Sequence, residues 1–151
     1  MATVASLLTP VFLVAQLLIV PVIDNSASPS SNSWLENRHA PVLSPEKMFW
    51  YQSLYLPNPA DRKKWMASPI LAENSVFKGR TIAKAYIKVA QVDVLRVEGV
   101  EYAKFLEGNG VKVDFKEYTG VPHAALAMAG RLTKGREMLA DSICNLKEAF
   151  M

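Results

Sequence analysis

Two residues stand where chemistry could be done. Asp93 follows the apolar run KAYIKVAQV, and His123 follows VKVDFKEYTGVP. A carboxylate beside an imidazole accepts a hydrogen bond from Nδ1–H. That fixes the ring's tautomer and stabilises the imidazolium formed when Nε2 takes a proton from a nucleophile. Both residues also have plain structural uses. Asp93 could cap the helix that starts near Arg96, and His123 could be an ordinary loop histidine. Spacing alone leaves these readings open.

Other chemistries are poorly supplied. His39 and His123 lie far apart, with no cysteine or carboxylate at ligand spacing, so no metal is expected. Cys144 is the only cysteine, which excludes an intrachain disulfide. It falls on the apolar side of its helix and is expected in the core rather than as a nucleophile. The formal charge is +3, and the basic cluster Arg62, Lys63 and Lys64 reads as a solvated loop. A nucleic-acid partner is therefore not expected.

The 151 residues, half of them apolar, suffice for one domain with a modest core. Residues 1–23 carry no charged side chain. They are long enough to cross a bilayer, but Pro10 and Pro21 interrupt them and no Lys or Arg marks a leader. The favoured reading is an apolar arm or helix over 1–15 and a fully buried strand over 16–22. Membrane contact through 1–23 is not favoured, and a cytoplasmic location is. Residues 24–83 read as an insertion. Its first part, 24–44, is a Ser-, Asn- and Pro-rich loop. A helix follows at 45–56, with Ser44 as N-cap, Pro45 at its first position, and Pro57 and Pro59 as its stop. Phe49, Trp50, Tyr51 and Leu54 on it either line a substrate pocket or bury the helix.

Beyond the insertion the pattern is regular. A strand is expected over 84–91 and an amphipathic helix over 96–108, with Val97, Val100, Ala103 and Phe105 on its apolar side. A half-exposed strand follows over 111–118. A last helix over 133–150 has Leu139, Ile143, Leu146 and Phe150 on one stripe. Strand–helix–strand order implies parallel pairing, hence an α/β fold of three mainly parallel strands with flanking helices. In such sheets ligands sit at the carboxyl ends of strands. Asp93 and His123 would share that rim.

Three stretches carry a resemblance. QLLIVPVID, LSPEKMFWYQSLYLPNPADRKKWMASPILAE and DVLRVEGVEYAKFLEGNGVKVDFKEYTGVPH occur in this order. Together they resemble the carboxyl-terminal half of the hormone-sensitive-lipase-like (fold-3) branch of α/β-hydrolases, over about residues 16–150. The resemblance implies a partial α/β-hydrolase domain at 16–151, with residues 24–83 as its insertion and pocket region. It places the family's catalytic acid on Asp93 and its base on His123. It implies a small-molecule ester as the substrate of an intact relative, cleaved by a serine without metal or cofactor. Gln91, Val97, Ala124 and Ala125 depart from the residues common at those family positions.

The larger departure is the nucleophile. No serine lies in a G-x-S-x-G elbow, and no HGG-type oxyanion loop is present. The expectation is a truncated esterase with an incomplete triad, inactive as an isolated chain. The alternative is a non-catalytic pseudo-hydrolase that binds a small molecule or a partner. An edge of the 16–22 strand left without its neighbour would favour self-association.

Overall fold

The computed structural model describes residues 13–151. Three strands form one parallel sheet in the order β1 (Ala15–Ile19), β2 (Lys84–Val92), β3 (Val113–Pro122). Ala15 pairs with Lys84, and Ala85 pairs with Val113. β2 is central, and Ala85 through Ala90 are all buried. This is the continuous burial expected when helices cover both faces of a parallel strand. Among the described residues β1 and β3 are the edges. The arm expected over 1–15 falls mostly outside the described residues. No helix among those described is long and apolar enough to cross a membrane.

Between β1 and β2 run three helices, α1 (Asn32–Leu35), α2 (Pro45–Tyr55) and α3 (Pro59–Arg62), and two short 3-10 turns. The α2 start follows the sequence logic: the Ser44 side chain accepts from the Lys47 N–H, with Pro45 next to it. Then come α4 (Arg96–Gly108) between β2 and β3, and α5 (Thr133–Phe150) after β3. α4 covers the sheet face that carries Ala85, Ile87 and Val89, through Tyr102, Ala103 and Leu106. It approaches closely at Gly99, where a Cβ would collide with the Val89 side chain. α5 covers the other face, where Met138 packs with Ala90, Tyr118 and Val121. There the buried Lys88 donates from Nζ to Asn145 Oδ1 at 2.6 Å.

Several expectations need correction. The first strand ends at Ile19, not Val22, because Val20 takes a positive φ of 44° before Pro21. The third strand begins at Val113 and runs on to Pro122. A register shift between Ala90 and Val92 and the positive φ of Gly120 carry it past Tyr118. Cys144 is exposed rather than in the core. Leu139, Ile143, Leu146 and Phe150 do share a face of α5, but it is the exposed one. Gly135, Met138 and Ser142 are buried instead. Small residues let α5 lie close: a Cβ on Gly135 would meet the Ala125 carbonyl oxygen.

Candidate active site

The sheet delivers Asp93 and His123 to one place. Asp93 is the residue after β2, and His123 is the first after β3. His123 Nδ1 lies 2.8 Å from Asp93 Oδ2. Asp93 is 1% exposed, whereas the His123 side chain is 29% exposed. The carboxylate is thus sealed and the ring reaches outward. Asp93 Oδ1 accepts the Leu95 N–H at 3.1 Å, so each carboxylate oxygen has a partner. The cap of α4 is Leu95, without a side-chain cap bond, so Asp93 does not serve as the helix N-cap.

Neighbouring groups pin both loops. Asn37 Nδ2 donates to the carbonyls of Gln91 and Asp93. Gln91 Oε1 accepts the Gly120 N–H at 2.8 Å and ties the end of β2 to the strand segment before His123. Arg96 pairs with Glu117 on β3 and with Glu36 beyond α1. Beneath them Glu98 is buried and accepts three N–H groups. These are Trp34 Nε1 at 2.6 Å, Asp24 N at 3.0 Å and Ile23 N at 3.1 Å. Burial pushes Glu98 up to about 7, against the downward pull of those donors. Glu98 therefore clamps the segment after β1 to the first turn of α4, a few residues from Asp93. Sequence reading missed Glu98, because a glutamate in a first helical turn looks like a surface charge favoured by the helix dipole.

His123 lines a cavity of about 370 Å³ with Val22, Leu43, Met48, Tyr51 and Leu95. Of the four aromatic and apolar residues singled out on α2, only Tyr51 belongs to this lining. Phe49, Trp50 and Leu54 are exposed, and α2 buries Pro45, Met48 and Gln52 instead. They neither line this cavity nor bury the helix. Arg62 sits over the Phe49 ring at 5.4 Å, and Trp50 tilts against Tyr51. The α2 periodicity does point to Met48, which with Gln52 lies one turn apart on the inner face. Among the described residues no group of three or more His, Cys, Asp or Glu is placed to hold a metal ion.

The pair has a defined chemical capacity. A carboxylate only accepts, so the contact requires Nδ1 of His123 to be the donor. Nε2 then carries the free lone pair, on a ring that lines an apolar cavity.

The chain is similar to known proteins. The model of a family described as having the alpha/beta hydrolase fold matches residues 1–127. An AB hydrolase superfamily protein of Schizosaccharomyces pombe is 40% identical over 139 residues, which cover 91% of this chain and 40% of that protein. The ethyl acetate hydrolase of Pseudomonas putida is 32% identical over 127 residues, 82% of this chain and 37% of its own length. A fungal esterase structure from Rhizomucor miehei superposes with a TM-score of 0.87 at 28% identity, covering 99% of this chain and 45% of that one. The chain thus spans about two fifths of these two relatives and under half of the solved structure. It is related to carboxylic-ester hydrolases and belongs to the hormone-sensitive-lipase-like branch of the α/β-hydrolase-fold family.

Proposed function

We propose that Asp93 and His123 are the acid and base of a serine-esterase triad whose nucleophile and oxyanion donors lie outside these 151 residues. The observation that supports this is the 2.8 Å contact between a sealed carboxylate and a ring open to a cavity. In an assembled site His123 Nε2 would take the proton of the attacking serine and return it to the leaving alcohol. Asp93 would hold the ring and stabilise its charged form. The substrates would be small carboxylic esters, in keeping with relatives named as an ethyl acetate hydrolase and a carboxylic ester hydrolase.

By itself the chain is not expected to turn over esters. The sequence has no serine in a nucleophile elbow, and loss of even one oxyanion donor costs about 2.7–4 kcal/mol of transition-state stabilisation. The test is release of p-nitrophenol from a short acyl ester. The expected result is the background rate, unchanged by His123→Ala. Turnover that His123→Ala abolishes would mean that these residues already hold a nucleophile. A second reading, a small-molecule binder without turnover, is favoured by the formed cavities beside α2.

A further inference from the structure

The pairing of β2 with β3 changes step just before the site. Ala90 pairs with Tyr118, and Val92 pairs with Pro122. Between these pairs β2 has only Gln91, where β3 has Thr119, Gly120 and Val121. β3 therefore bulges by two residues.

The bulge decides what His123 meets. Had the register of Ala90 and Tyr118 continued, Asp93 would stand opposite Val121, and His123 opposite Leu95. A strand advances about 3.3 Å per residue, so the ring would lie roughly 6–7 Å too far along, out of hydrogen-bond reach. In the shifted register the last pair is Val92 with Pro122, and the next residue on each chain is Asp93 and His123. A slip of two is even, so it moves the histidine back without turning it to the other face. Bulges beside functional sites re-aim side chains in this way.

The extra residues are held from two sides. Val121 is buried in a cluster with Ala90, Ala125 and Met138. Gly120 turns the chain at a φ of 71°, which glycine adopts without strain. Its N–H donates to Gln91 Oε1 at 2.8 Å. The atom at that contact is the oxygen, because an amide nitrogen cannot accept an N–H. Gln91 itself has a fixed base: Asn37 Nδ2 donates to its carbonyl at 2.9 Å and to that of Asp93 at 3.0 Å.

We propose that Gln91 is a positioning residue for His123, its side-chain oxygen clasping the bulge whose two extra residues bring the imidazole level with Asp93. The proposal rests on the reading of Asp93 and His123 as acid and base. It adds a residue that acts through the β3 backbone and not on substrate.

The test follows the His123 ring and the Gly120 amide by ¹H–¹⁵N NMR in the whole chain. Gln91→Met keeps the side chain's length and removes the acceptor, whereas Gln91→Glu keeps an acceptor. In the wild type the His123 Nδ1–H should exchange slowly, and the Gly120 amide should be protected although the residue is exposed. In Gln91→Met both should exchange with water roughly two- to tenfold faster, the factor that one net hydrogen bond carries. Gln91→Glu should restore both. Ile87→Val, on the sheet face away from Val121, should lower stability and leave both signals unchanged, which separates positioning from general loosening. A wild-type Nδ1–H signal that Gln91→Met does not alter overturns the positioning role alone, as does a loss that Gln91→Glu does not restore. An unprotected Gly120 amide in the wild type overturns it too, whether or not the variants fold. A wild-type ring with no Nδ1–H held by Asp93 overturns the acid–base reading along with it.

Discussion

Asp93 divides its two oxygens between His123 Nδ1, at 2.8 Å, and the Leu95 N–H, at 3.1 Å. One carboxylate thereby fixes both the imidazole and the bend that starts α4. Asp93→Ala should leave two buried-side donors without an acceptor and lower stability by about 1–3 kcal/mol. Urea denaturation checks this. In long-range ¹H–¹⁵N spectra the neutral His123 ring should be the Nδ1–H tautomer in the wild-type chain and lose that preference in the variant. An Nε2–H ring in the wild type would contradict the contact.

Glu98 makes stability depend on pH. Its folded value, about 7, lies above its ordinary 4.5, so the folded chain binds more protons between these limits. Stability from this group is therefore full below 4.5, falls as pH rises toward 7, and levels off above it. The two ends should differ on the order of 3 kcal/mol, since each pH unit between the two values is worth about 1.4 kcal/mol. Glu98→Gln should flatten this slope in denaturant midpoints measured from pH 4.5 to 8. A slope that persists in the variant would assign it to another group.

Two glycines set how closely helices pack, Gly99 against the sheet and Gly135 against the turn after β3. Gly99→Ala should clash with Val89 and cost about 1–3 kcal/mol. Val89→Ala should recover part of that loss in a double-mutant cycle, because the obstacle is a side chain. Gly135→Ala should be worse and should not be rescued in this way. There the obstacle is the Ala125 carbonyl, in the 3-10 turn that begins at His123. Thermal melts of the four variants decide the order.

The exposed stripe of α5 gives a sharp contrast. Met138→Ala should cost about 2–5 kcal/mol, as buried methionines do. Leu139→Lys or Ile143→Lys should stay within about 0.5 kcal/mol, as exposed sites do. Large losses in the lysine variants would mean that this face is covered in solution.

The extents of α4 and α5 are readable in the sequence from apolar periodicity, and glycines mark the end of α4. The meeting of Asp93 and His123 is readable because parallel strands send their following loops to one rim. The buried side of α5 is not, because Gly135 and Ser142 carry it and neither weighs in a hydrophobic pattern. The α4 phase is misleading for a similar reason: its inner face includes Gly99 and Glu98, while Val97 and Val100 sit at its margins. Glu98 and Gln52 are invisible for a different reason. A buried polar side chain has no periodic signature, only the partners that distant segments bring to it.

The parallel register has a kinetic consequence. Ala15 pairs with Lys84, so β1 cannot zip onto its neighbour by a local turn. The whole stretch between them must be looped out first, at an entropic cost that a helical protein of this length does not meet. During synthesis β1 leaves the ribosome well before β2 exists, and its pairing with residues 84–88 must wait for them. Refolding in stopped-flow experiments should fall in the millisecond-to-second regime of non-local topologies, and a holdase chaperone should bind the nascent chain in that interval.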